Sequence, residues 1–240
     1  MTYCVAMCLE QGLLFGADTR TNAGVDHIST FRKLYTFQQA KSHAIVLLCS
    51  GNLATSQSLI ELLRRDLSEQ KEHILSQQSL FDVARLIGQK LYSIIQEVSH
   101  DDKTSAPNFS GNILLGGQIK GESPRLFQVY PQGNFIEATR ETPYLQIGEH
   151  KYGKPILDRV VRFATPLTLA LNSMIVSLDS TIKSNLSVGL PMDILVYEKD
   201  SFDLTRQRRF TEYDEDYLKM RQYWNSGVNQ LLEQFPTPKV

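Results

Sequence analysis

The chain has 240 residues, 42% hydrophobic and 21% charged, with 25 basic and 26 acidic side chains and a formal net charge of −1. That length suits one large domain or two small ones and buries a sizeable core. So balanced a charge gives no electrostatic basis for binding nucleic acid or an anionic membrane, and Arg206, Arg208 and Arg209 read as a solvated face.

No apolar run approaches the ~20 residues that span a bilayer. The N-terminus lacks a basic segment followed by a continuous apolar stretch, so no signal peptide is predicted. Only Met1 is expected to be removed. Cys4 and Cys8 on one strand would lie roughly 13 Å apart, beyond the ~7 Å that a disulfide tolerates. With Cys49 the count is odd. The three read as buried thiols in a reducing cytosol, and the predicted location is cytoplasmic.

In chain order, "YCVAMCL" and "LLFGADT" read as a hairpin joined by Glu10, Gln11 and Gly12. On the first strand Cys4, Ala6 and Cys8 share one face and Val5, Met7 and Leu9 the other. Both faces are apolar, which predicts a strand covered on both sides. A polar loop is expected from Thr21 to Thr30, then strands near Lys33–Phe37 and Ala44–Cys49. Helices are expected over Leu53–Ser68 and Leu80–Val98, the second with a long apolar stripe and a start signal in Ser79 and Asp82. "SHDDKTSAPNFSG" reads as a loop.

Strands follow in "NILLGGQI", "RLFQVYP", "NFIEAT" and "YLQIG", with a turn at Pro131, Gln132 and Gly133. Helices are expected over Pro155–Ala164 and Thr168–Lys183, with Pro155 and Pro166 at their starts. "SVGLPMDILVYEK" and "FDLTRQRRF" are the last strands, and Asp214–Phe235 the last helix. Clustered strands and clustered helices point to α+β layers rather than alternating βαβ units.

The five histidines, His27, His43, His73, His100 and His150, show no zinc-site spacing. No G-x-S-x-G elbow is present. "GEHKYGKP" matches the opening of a phosphate-binding loop, but Pro155 stands where Ser or Thr must reach magnesium, and Glu149 would repel phosphate.

Thr2 becomes N-terminal if Met1 is removed. A threonine hydroxyl is a poor nucleophile until a base takes its proton. The freed α-amine, with an ordinary pKa of about 7.7–8.0, can do that. Asp18 lies sixteen residues on, at the far end of the hairpin, and Lys33 thirty-one residues on. A lysine near the hydroxyl lowers its pKa, and Asp18 would hold that lysine. "LLCSGNLAT" then gives an apolar strand, a tight Gly51 and a helix start, where a backbone N–H could receive an oxyanion.

Thr2, "GADTRT", "RKL", "CSGN" and "SNLSVG", in this order, resemble the proteasome β-subunit family of N-terminal-nucleophile hydrolases. "MTYC", "DTRTNAGVDHISTFRKL" and "SLDSTIKSNLSVGLPMDILVY" look most like its bacterial proteasome-like branch, Anbu. The resemblance implies a four-layer αββα sandwich, one domain over residues 1–240 with 202–240 as a strand-plus-helix extension. It implies Thr2 as nucleophile, Asp18 and Lys33 tuning it, Gly51 as oxyanion donor and Ser187 near the threonine amine. Arg20, Thr21 and Asn22 would offer backbone to an extended substrate. Phe31, Tyr35, Cys49 and Leu53 would form an apolar specificity pocket.

The implied activity is a threonine-type endopeptidase or amide hydrolase working through an acyl-enzyme, without metal or cofactor. Implied partners are further copies, in a ring or an open helical stack, a peptide or small-amide substrate, and a separate ATPase if unfolding is needed. A small-amide hydrolase and a non-cutting scaffold subunit are the alternatives. The absence of a helix before the first strand argues against an α-type scaffold. Two departures stand out. The family's usual Gly-Ser-Gly reads Gly148-Glu149-His150, and the aspartate three residues before the second serine is Ser184.

Overall fold

The computed structural model describes residues 2–22, 28–99 and 109–238. The first hairpin forms as its β-rich runs and short connection predict: β1 (Tyr3–Leu9) and β2 (Gly12–Asp18) pair antiparallel, with Cys4 opposite Ala17 and Leu9 opposite Gly12. The span expected as a polar loop instead holds two short strands, β3 (Arg20–Asn22) and β4 (Ile28–Thr30), paired only with each other among the described residues. Three-residue strands leave no alternation to read.

Next come β5 (Leu34–Gln39) and β6 (His43–Gly51), then α1 (Leu53–Ser68) and α2 (Leu80–Ser99). Asn52 caps α1 by accepting from the Thr55 N–H at 3.2 Å. The Ser79 hydroxyl accepts from the Asp82 N–H at 3.1 Å and donates to its carboxylate at 2.6 Å, the start signal read for α2. Four strands follow: β7 (Gly111–Ile119), β8 (Arg125–Val129), β9 (Phe135–Glu137) and β10 (Tyr144–Gly148).

α3 (Lys154–Val160) is shorter than predicted, and α4 (Leu167–Ser184) starts after Pro166, its N-cap. The Thr165 hydroxyl accepts from the Arg162 N–H and donates to the Val160 carbonyl, so a side chain takes over at the end of α3. β11 (Met192–Glu198) begins after the Leu190–Pro191 cis peptide. Only Gln207–Phe210 of the predicted last strand pairs, as β12. α5 (Glu215–Glu233) is capped by Asp214, and the Tyr217 hydroxyl donates to Asp179 on α4 at 2.6 Å.

The strands form two five-stranded antiparallel sheets, ordered β10-β1-β2-β11-β12 and β5-β6-β7-β8-β9. Their inner faces meet through Cys4, Ala6, Phe15 and Ala17 on one side and Val46, Leu48, Leu114 and Leu126 on the other. The outer face of β1, with Val5, Met7 and Leu9, packs under α3, α4 and α5. α1 and α2 cover the second sheet. The result is a four-layer αββα sandwich, and both faces of β1 are covered as its sequence predicts. Among the described residues no helix is long and apolar enough to cross a membrane.

Gly88 shows how tightly the outer layer sits. A Cβ there would lie 2.1 Å from the Gly133 carbonyl oxygen, in the turn after β8. Helix propensity alone predicts that Gly88→Ala stabilises by ~1 kcal/mol. The backbone collision reverses the sign, so Gly88→Ala is expected to lower the urea midpoint; a raised midpoint would show that the turn yields freely.

Candidate active site

Thr2 precedes β1 and is buried, with 8% of its surface exposed. Hydrogen bonds fix the peptide that follows it from both sides. The Thr2 carbonyl accepts from the Glu149 N–H at 2.7 Å, and the Tyr3 N–H donates to Asp18 Oδ1 at 3.0 Å. Asp18 ends β2, where the hairpin returns it beside β1.

Lys33 reaches the same carboxylate from the second sheet. Its ammonium donates to Asp18 Oδ1 at 2.7 Å and to the Arg20 carbonyl. The other Asp18 oxygen accepts from the Gly189 N–H at 3.2 Å. Both side chains are buried. Burial pushes the Asp18 carboxyl above the usual carboxylate range, and the Lys33 charge with the two backbone N–H donors opposes that push.

Gly51 closes β6 at φ +98, and a Cβ there would lie 2.4 Å from the Ser110 carbonyl oxygen. Both facts require glycine. The Cys49 N–H donates to the Lys33 carbonyl at 3.0 Å. N–H groups two residues apart on a strand point the same way, so that of Gly51 is directed to the side from which Lys33 enters.

Thr2, Lys33 and Gly51 line one cavity of about 430 Å³, together with Thr21, Tyr35, Cys49 and Leu53. Seven of the sequence-predicted residues thus share one wall, and Asp18 stands behind Lys33. Besides Asp18, four predicted residues lie outside the lining. Phe31 is exposed. The Arg20 guanidinium turns away to the Leu186 carbonyl at 3.0 Å, although its own carbonyl holds Lys33. Asn22 pairs its backbone with Ile28 in the small sheet. Ser187 donates its N–H to Asn185 Oδ1 at 2.9 Å, and Asn185 Nδ2 in turn donates to Glu149 Oε2 at 3.1 Å.

The sequence reading missed Arg32, Ser50, Ser56 and Asn112 as lining residues, and it had given Glu149 no part in the cavity. Ser56 follows Leu53 by three positions on α1, and Asn112 faces Ser50 across the β6–β7 ladder. Helical spacing and strand register were the available signals.

The cysteines are free, and Cys8 is half-buried rather than buried. Among the described residues no group of three or more His, Cys, Asp or Glu side chains could hold a metal ion.

The sandwich with a buried lysine–aspartate pair behind a threonine-lined cavity defines the proteasome-type αββα class. The proteasome-subunit family model matches residues 2–196. Anbu, the ancestral β-subunit from Yersinia bercovieri, is 50% identical over 100% of this chain and 99% of its own, at a TM-score of 0.94. A Gly-1 mutant of Anbu from Hyphomicrobium sp. strain MC1 is 44% identical over all of both chains, at 0.93. The helical assembly of the Anbu complex from Pseudomonas aeruginosa is 47% identical over 99% of this chain and 98% of its own, also at 0.93. The search of curated proteins returns no match. The chain belongs to the proteasome-subunit family, in its Anbu branch.

Two outcomes follow from the burial. Lys33→Met leaves Asp18 buried without its cation, so a loss of ~3–5 kcal/mol is expected in urea unfolding. Adding Asp18→Asn should restore part of it; a double variant no more stable than Lys33→Met would rule out the unpaired charge as the cause. Burial pushes the Cys49 thiol up to about 12 and Cys8 up to about 11, and Cys4 well above its usual value. Deprotonation therefore needs pH above those values, and at pH 8 all three remain thiols. Iodoacetamide at pH 8 should label the native protein slowly and the urea-unfolded protein quickly at all three.

Proposed function

We propose that the protein is a threonine-type amide hydrolase whose nucleophile is Thr2, freed by removal of Met1. The observation that carries this is the convergence of Thr2, Lys33 and Gly51 on one cavity, with Lys33 fixed by a buried aspartate. The Thr2 hydroxyl attacks a substrate carbonyl and gives its proton to the Thr2 α-amine. The Lys33 charge favours the alkoxide that develops, and the Gly51 N–H receives the carbonyl oxygen as it becomes an oxyanion. The amine passes its proton to the leaving nitrogen as the C–N bond breaks, which leaves an ester on Thr2. Water, deprotonated by the same amine, attacks the ester, and the proton returns to the Thr2 oxygen.

Peptide substrates suit the second edge of β3, which no strand occupies among the described residues. An extended chain could pair there beside Thr21, which lines the cavity. Self-assembly belongs to the same proposal. A relative 47% identical is described as a helical assembly. The end of α5 and the residues just after it leave Leu231, Leu232 and Phe235 each 57% exposed, an apolar surface suited to cover by another copy.

The test is intact and N-terminal peptide mass before and after a β-lactone probe. The expected result is loss of Met1 and a single adduct on Thr2, with no adduct in Thr2→Ala. Protein that has lost Met1 yet leaves Thr2 unlabelled would refute the hydrolase reading and favour a scaffold subunit.

A further inference from the structure

The charges around the Thr2 cavity are unevenly matched. Lys33 is neutralised by Asp18 at 2.7 Å. Glu149 has Lys151 at 3.7 Å from one oxygen and Asn185 Nδ2 at 3.1 Å from the other. Arg32 lines the same cavity, and among the described residues no carboxylate lies within 4.0 Å of it. Arg64 stands over the ring of Tyr35 at 5.9 Å, likewise without a carboxylate partner among the described residues. Tyr35 feels both cations: burial raises its hydroxyl's pKa, and the Arg64 and Arg32 charges act in the opposite direction. The Tyr35 hydroxyl also donates to the Arg32 carbonyl at 2.8 Å, so the tyrosine holds this stretch of chain in place.

The cavity therefore combines apolar walls, from Tyr35, Cys49 and Leu53, with a guanidinium that no carboxylate among the described residues matches. Its volume of about 430 Å³ suits one or two side chains of a peptide. A group with a short apolar stem and a carboxylate tip satisfies both features. A guanidinium binds a carboxylate through two parallel N–H bonds, and such charge-assisted pairs are about twice as strong as neutral ones. A lysine or arginine side chain would instead meet like charge. Glu149 does not cancel the preference, because its own backbone N–H ties it to Thr2 and its carboxylate is already partnered.

We propose that this cavity selects acyl donors with an acidic side chain on the residue whose carbonyl faces Thr2, with Arg32 pairing to that carboxylate. The inference rests on the reading of Thr2 as nucleophile for its catalytic meaning, but binding tests it separately.

Two fluorophore-labelled peptide α-amides, identical except for a final Glu or Gln, are titrated by anisotropy into the Thr2→Ala protein, which cannot turn them over. The expected result is about ten-fold tighter binding of the Glu peptide at low salt. The preference should shrink as salt screens the rim, and fall to about two-fold or less when Arg32→Gln is added. Arg32 is exposed, so this change spares the core. Equal binding of both peptides, binding of neither, or a Glu preference that survives Arg32→Gln overturns the proposal. The β-lactone experiment on the unsubstituted protein separates the two readings. Thr2 labelling without a Glu preference removes only the substrate class; a Glu preference without labelling removes only the hydrolase.

Discussion

The Asp18–Lys33 pair is the contact on which the site depends. Asp18 ends a strand of the first sheet, and Lys33 leads into the first strand of the second. The pair is therefore a bolt between the two layers as well as a charge device. Asp18 also accepts from the N–H groups of Tyr3 and Gly189, so one carboxylate fixes the start of β1, the segment before β11 and the lysine. A buried ion pair is a poor way to gain stability, since desolvation offsets most of its attraction. It is a good way to hold an ammonium rigidly where water cannot screen it. Such a charge beside a hydroxyl acts strongly on the hydroxyl's acidity.

Most of the fold was legible because its layers impose strong patterns. β1 reads as apolar on both faces because it lies between two layers, and the structure divides those faces between two separate clusters. The stripe of α2 and its start at Ser79 follow from elementary helix chemistry. What failed was short or set by tertiary contacts. β3 and β4 have three residues each, too few for a period to show. The predicted strand at Phe202 starts late because Asp200 and Phe202 take positive φ of 63 and 48, which turns the chain before pairing resumes at Gln207.

The site divides in the same way. Thr2, Asp18, Lys33 and Gly51 could be named because hairpin length and chain order bring them near each other. The pocket walls were harder, because the resemblance put Phe31 at a pocket position and said nothing of its neighbour. The structure leaves both exposed, and it is Arg32, not Phe31, that lines the cavity. In a segment without regular structure, between β4 and β5, alternation gives no guide to which of two adjacent side chains borders the cavity. Ser187 shows a related limit. Its position in the sequence is clear, but its link to the cavity runs through Asn185 and Glu149, a path visible only in three dimensions.

The anchoring of Thr2 bears on how such a site could be switched on. Both hydrogen bonds that hold the Thr2–Tyr3 peptide lie on the C-terminal side of the Thr2 Cα: one from the Glu149 N–H to the Thr2 carbonyl, one from the Tyr3 N–H to Asp18. Neither uses the Thr2 nitrogen. The Thr2 backbone is therefore held on its C-terminal side by Asp18 and by the residue after β10. Removing a preceding residue changes the chemistry of the nitrogen from amide to amine without altering these two bonds. An amide nitrogen cannot take a proton at neutral pH, whereas an amine with an ordinary pKa of about 7.7–8.0 can. Under the proposed mechanism, loss of Met1 would supply the base without breaking either of these bonds.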